Sequence, residues 1–110
     1  MRKPTRVVLV EDNEVFREAL QLLFSVRTDL EVVASATSGS DAVETCREHR
    51  PDVVLMDYRL PGLDGVQATA AVRRSCPSTV VVGLTASGTA GEIEALLAAG
   101  AVACLSKDQP

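Results

Sequence analysis

A single doubly wound α/β domain, five parallel strands with helices on both faces, is what this sequence predicts, and three observations predict it. Five short runs rich in Val, Leu and Ala alternate with four longer segments of helical periodicity. The short runs are continuously apolar instead of alternating with polar residues, as strands covered on both faces are. The whole pattern fits in 110 residues with no linker, repeat or low-complexity tract, the length of one compact domain.

The first strand is Arg6–Val10, and Glu11-Asp12-Asn13 breaks it with polar residues. Residues 14–26 form a helix whose apolar stripe, expected to face the sheet, is Val15, Ala19, Leu22, Leu23 and Val26, with Arg17, Glu18, Gln21 and Ser25 off it. Glu31–Ala36 is the second strand. The second helix, 40–49, takes Ser40 as its cap, turns Val43 and Cys46 inward and closes at "REHRP". Asp52–Met56 is the third strand and runs into Asp57. Asp64 caps the third helix, 65–75, which Cys76-Pro77 ends because proline cannot continue it. Thr79–Leu84 is the fourth strand, and the fourth helix, 89–99, stops at Gly100, a residue suited to a left-handed cap. Val102–Ser106 is the fifth strand.

Regular alternation of strand and helix means a parallel sheet with right-handed crossovers. The same pattern calls for a fifth helix after residue 106, covering the sheet face beside the first helix, yet the sequence closes with "KDQP". An apolar patch is therefore expected to lie bare, in a truncated chain or in one whose partner covers it. A chain that truly ends at residue 110 would cover the patch by self-association or helix exchange.

Composition narrows the function. Aromatics are only 3% of the chain, so Val, Leu and Ala must build the core. The net charge of −4, with scattered basic pairs such as Arg73-Arg74 read as solvated surface, argues against gripping nucleic acid directly. Cys46, Cys76 and Cys104 show no metal spacing, and their odd number reads as buried or half-buried free thiols in a reducing compartment. The first apolar run stops at Glu11, too short for a signal peptide or a membrane span, so the expected location is cytoplasmic, with no membrane partner. His49, the only histidine, sits at a helix end and reads as a surface residue.

Ligands of doubly wound sheets bind outside the carboxyl ends of the strands, where the strand order reverses. At that rim the first strand delivers Glu11 and Asp12, the third Asp57, the fourth Thr85 and the fifth Lys107, while the second offers only Thr37 and Ser38. Singly, each has a structural explanation: carboxylates at 11–13 favour a helix start, and Thr85 and Lys107 suit a strand and a surface. Together they form a constellation. If the strand order is 2-1-3-4-5, strands one and three are about 4.8 Å apart and Glu11, Asp12 and Asp57 converge. Three such carboxylates repel unless a proton or cation intervenes, and hard oxygen ligands suit Mg²⁺. Lys107 would start about 10 Å from Asp57, a gap only a long side chain crosses. A carboxylate nucleophile beside Mg²⁺ can accept a phosphoryl group, with a lysine and a hydroxyl neutralising the transferred oxygens. No GxSxG, GxxxxGK[ST], GxGxxG or HExxH motif offers a rival chemistry.

Four segments, "VVLVEDNEVFREAL", "EHRPDVVLMDYRLPGLDG", "VVGLTA" and "AAGAVACLSKD", resemble in order and spacing the receiver domain of two-component response regulators, over essentially the whole chain. The resemblance implies a flavodoxin-like sheet of order 2-1-3-4-5, with residues 1–110 as the receiver domain, lacking its last helix, and any output domain after residue 110. It implies that Asp57 is the phosphoacceptor and binds Mg²⁺ with Asp12. Glu11 would act through metal-bound water, the backbone carbonyl of Arg59 would complete the ligands, and Thr85 and Lys107 would hold the phosphoryl oxygens. The implied partners are a histidine kinase and a second copy in a homodimer. "SKD" and "EDN…VFREAL" look most like the class with a C-terminal helix-turn-helix, so DNA would be bound only through an output domain.

Two positions depart from the family pattern. Cys104 stands where receivers usually place the Tyr or Phe of a rotamer switch coupled to the threonine, here Thr85. Asp108 stands where many have proline. Arg59 and Ser87, two residues past Asp57 and Thr85, are placed to influence the lifetime of the phosphate. The rival readings are a stand-alone receiver that relays phosphate or docks on a partner, a phosphate-independent receiver-like interaction module, and a Mg²⁺-dependent phosphohydrolase. Arg59 weighs against the last, because aspartate-based phosphohydrolases usually carry a second acid at that position. The chain is thus expected to be no enzyme beyond self-phosphorylation and slow autodephosphorylation.

Overall fold

A computed structural model describes residues 3–86 and 88–108. Strands β1 (Thr5–Val10), β2 (Leu30–Ala36), β3 (Val53–Asp57), β4 (Val80–Thr85) and β5 (Ala103–Ser106) alternate with helices α1 (Glu14–Ser25), α2 (Gly39–His49), α3 (Gly65–Ser75) and α4 (Ala90–Ala99). The strands form one parallel sheet in the order β2-β1-β3-β4-β5. The chain moves one way along the sheet from β1 to β2, then the other way through β3, β4 and β5. With right-handed crossovers that reversal sends α1 to one face and α2, α3 and α4 to the other.

The three-helix face carries the larger core. Val8, Val10, Val54, Met56 and Val81 from the strands are fully buried against Ala42 and Cys46 of α2, Val72 of α3 and Leu96 of α4. Gly83 of β4 makes room for that last contact, since a Cβ there would press on the Leu96 side chain. The opposite face buries Val7, Leu9, Leu55 and Leu84 under Phe16, Leu20 and Phe24 of α1.

The contact face of α1 therefore differs from the expected stripe. Phe16, Leu20 and Phe24 meet the sheet, whereas Val15, Leu22, Leu23 and Val26 are 78%, 69%, 62% and 77% exposed and Ala19 is exposed with them. Both sets share helical spacing, so periodicity alone chooses neither. The exposed set packs against none of the buried core among the described residues. Ala103, Leu105 and Val80 are exposed on β5 and β4, which leaves the expected apolar patch bare.

Other local expectations are corrected. Ser38, not Ser40, caps α2: its hydroxyl accepts the Asp41 N–H at 3.1 Å. His49, the last residue of α2, is half-buried instead of lying on the surface. Arg74 is exposed as expected, but Arg73 is half-buried and donates to the Pro77 and Thr79 carbonyls at 2.9 and 2.7 Å. Asp64 caps α3 as expected, in a reciprocal capping box with Gln67. Gly100 ends α4 at φ 122°, a conformation that favours glycine. The three thiols are free, Cys46 buried and Cys76 and Cys104 half-buried. Among the described residues no helix is long and apolar enough to cross a membrane.

The start of α3 sits directly on the end of β3. The Gly65 N–H donates to the Tyr58 carbonyl at 2.9 Å. A Cβ on Gly65 would collide with the Asp57 carbonyl and the Tyr58 backbone, atoms that cannot move without displacing Asp57. Gly91, in the first turn of α4, has nothing within 4 Å of its Cβ position. Urea denaturation should therefore separate two chemically identical changes: Gly65→Ala is expected to lose more than about 2 kcal/mol, whereas Gly91→Ala should be neutral or gain about 0.5 kcal/mol. Equal effects would show that the β3–α3 contact is loose.

Candidate functional site

The register of the sheet decides which rim residues meet. β1 and β3 pair from Val7↔Val53 to Val10↔Met56, so Glu11 and Asp57 leave the sheet side by side. Backbone bonds just beyond the strands fix that exit: Glu11 N–H donates to Ala36 at 3.0 Å, Tyr58 to Leu84 at 2.8 Å and Lys107 to Thr85 at 2.8 Å. Glu11 is fully buried and Asp57 nearly so, while Asp12 is exposed at the mouth. One carboxylate oxygen from each of the three lies within 4.8 Å of the other two.

Lys107 crosses from β5 to this cluster. Its Nζ lies 2.5 Å from Glu11 Oε1 and 3.2 Å from Asp57 Oδ2. Glu11 Oε2 accepts the Asn13 N–H at 3.0 Å, and Asn13 in turn caps α1 by accepting the Phe16 N–H at 2.9 Å. Thr85 is fully buried and its hydroxyl has no partner among the described residues. It lines an open hollow of about 360 Å³ with Gly88, Ile93, Cys104, Ser106 and Asp108. The Cys104 sulfur turns beneath α4 toward the Ile93 carbonyl, 4.0 Å away. Arg59 is exposed in the loop after β3, and Ser87 lies outside the described residues.

The charges of the cluster are unequal. Burial, and next the adjacent Glu11 carboxylate, push Asp57 up to about 6. Burial also works to raise Glu11, but Lys107 and the Asn13 amide outweigh it and hold Glu11 below its ordinary value. Burial disfavours the Lys107 ammonium, yet Glu11 and Asp57 hold its pKa above the usual lysine value. The Lys107 ammonium thus offsets one of the two buried negative charges. Three convergent carboxylates, two buried and one facing solvent, are a donor set that fits a small hard divalent cation with positions left for water.

Sequence reasoning placed Glu11, Asp12, Asp57, Thr85 and Lys107 on one rim, and the fold brings Lys107 and the three acids together. It overlooked Phe16. The Phe16 ring centroid lies 4.8 Å from Lys107 Nζ. Only the spacing of Phe16 from the acidic pair, with Leu20 and Phe24 as the true inner stripe, could have pointed to it.

Comparison with known proteins shows the family and the fold. The response regulator receiver domain family matches residues 7–110. The transcriptional regulatory protein LnrK of Bacillus subtilis is 37% identical over 103 residues, covering 94% of this chain and 47% of LnrK. The chain spans about half the length of the curated relatives it matches first. The signal receiver domain of NarL from Mycobacterium tuberculosis superposes with a TM-score of 0.93 at 37% identity, covering 99% of this chain and 88% of that one. The receiver domain of the sensor histidine kinase PA1611 from Pseudomonas aeruginosa, which holds a magnesium ion in its active site cleft, gives 0.85 at 31% identity, covering 97% and 88%.

The raised Asp57 carboxyl makes stability depend on pH. Its folded value of about 6 exceeds the ordinary 3.8, so its contribution is fully present below about 3.8 and is lost as pH rises through about 6. In chelator-treated protein at pH 8 the ionised carboxylate costs up to about 3 kcal/mol. Asp57→Asn is therefore expected to be more stable than wild type at pH 8, with the gap closing towards pH 4. Urea midpoints at pH 4, 6 and 8 check this, and a gap independent of pH would refute it.

Proposed function

The chain belongs to the response regulator receiver domain family, and on that premise we propose that it is a phosphorylation-controlled switch whose acceptor is Asp57. The observation that carries the reading is the arrangement around that carboxylate. Glu11 and Asp12 lie against it, Lys107 Nζ is 3.2 Å from its Oδ2, and the buried Thr85 hydroxyl on the next strand lacks a partner among the described residues. An ionised Asp57 oxygen attacks the phosphorus of a histidine kinase's phosphohistidine. The phosphorus–nitrogen bond breaks, the imidazole leaves and an aspartyl phosphate forms. The Lys107 ammonium and the Thr85 hydroxyl then take up the phosphoryl oxygens.

Asp12 and Asp57 would hold Mg²⁺ directly, Glu11 through water and Arg59 through its backbone carbonyl. When bound, the ion would neutralise charge developing on the phosphoryl group. Thr85 would move toward the phosphoryl oxygens, and Cys104, too small to fill the hollow beside it, would leave the movement to be read by α4. The name and length of LnrK support an output that controls transcription, with DNA bound by a domain outside these residues and a homodimer as the regulated state. The bare strip beside α1 would seat a fifth helix following residue 110. A stand-alone relay or docking role and a phosphate-independent module are the competing readings. The protein would act in the cytoplasm, with no catalysis beyond its own phosphorylation and slow dephosphorylation.

Intact mass after incubation with Mg²⁺ and acetyl phosphate tests the proposal. One phosphoryl adduct is expected on wild type and none on Asp57→Asn or in excess chelator. An adduct that survives Asp57→Asn would relocate the acceptor. No adduct on wild type would favour the phosphate-independent module.

A further inference from the structure

Lys107 has an unusual task for a residue that follows an edge strand. Its backbone is fixed to Thr85, but its ammonium lies across the width of β4, between two carboxylates. A lysine stem has four rotatable bonds and carries roughly 2 kcal/mol of rotamer entropy, so two attractive charges alone define a region for it better than a position. The third neighbour of the ammonium is the ring of Phe16, with its centroid 4.8 Å from Nζ. That lies within the range where a ring face attracts a cation, and the attraction is strongest where water is excluded. The Lys107 side chain is only 20% exposed.

The ring is itself tied to the acids. Phe16 N–H donates to Asn13 Oδ1, and Asn13 N–H donates to Glu11 Oε2. The N-terminal cap of α1 thus links the ring to the carboxylate that pairs with Lys107. We propose that Phe16 is a positioning residue, holding the Lys107 ammonium over Glu11 and Asp57 through the face of its ring. The inference rests on the reading that Lys107 meets the phosphoryl oxygens, and it adds the group that pre-orients Lys107 before phosphate arrives. Leucine at this position would cover much of the same apolar surface of Leu9, Leu55 and Leu84 but would offer no π face.

Two measurements decide it. The chain has two lysines, Lys3 and Lys107, so the ε-methylene signals are simple to assign by carbon–proton NMR of the unphosphorylated protein. The Lys107 ε-protons should show an upfield ring-current shift that Phe16→Leu abolishes and Phe16→Tyr retains. Labelling by acetyl phosphate should slow about fivefold in Phe16→Leu, the equivalent of about 1 kcal/mol. The same change in a Lys107→Ala background should alter the rate less than about twofold. An unshifted Lys107 in wild type, or Phe16→Leu and Lys107→Ala effects that simply multiply, would overturn the proposal. Absence of labelling in every variant would instead sink the phosphoacceptor reading, and the NMR shift alone would then decide the ring contact.

Discussion

Two carboxylates held against one another at the carboxyl ends of two inner strands are the constraint on which the rest of this structure depends. Glu11 and Asp57 are both nearly free of solvent, and burying two like charges together is costly unless a counter-charge is close. Lys107 supplies it from two strands away. Adjacency of β1 and β3 requires the reversal of strand order, which also sends α1 and the other helices to opposite faces. The tight seat of Gly65 on the Asp57 backbone keeps one acid in place, and the Asn13 cap steadies the other.

Most of this was legible in the sequence. The rim residues were readable because in a parallel sheet the residue that ends each strand necessarily arrives at one edge, whatever the packing. The order of elements followed from apolar runs and from breakers such as Pro77 and Gly100. The orientation of α1 was not legible. That helix is apolar around a wide arc, and Phe16, Leu20 and Phe24 have the same period as Val15, Leu22 and Val26. Choosing between them needs the position of β4 and β5, which is a tertiary fact. Ser38 and Ser40 are equally good capping residues in isolation, and the backbone at Ser38, extended at φ −142°, ψ 162°, decides between them. Phe16 was hidden for the same reason as the stripe, since its partner is 91 residues away in the chain.

The surroundings of Thr85 show a different economy. Among the described residues its hydroxyl is buried without a partner, next to a hollow that Cys104 helps to line. An unpaired buried hydroxyl lowers stability, and open space beside it lowers the barrier to reorientation. The acids are held tightly on one side of Asp57, while the groups on the other side have room to rearrange. Under the proposed function, rigidity for chemistry and room for signalling would thus sit on different strands.

β5 carries the residues with most room. It is four residues long, pairs among the described residues only with β4, and has Ala103 and Leu105 open to solvent on one face. Short edge strands with few buried contacts belong to the low end of local stability and open before a sheet unfolds globally. The amides of β5 would exchange hydrogen for deuterium sooner than those of β1 or β3. An opening of this strand would withdraw Lys107 and leave Glu11 and Asp57 without their counter-charge. Anything that covered that edge would steady Lys107, and with it the charge balance of the acids, without touching them.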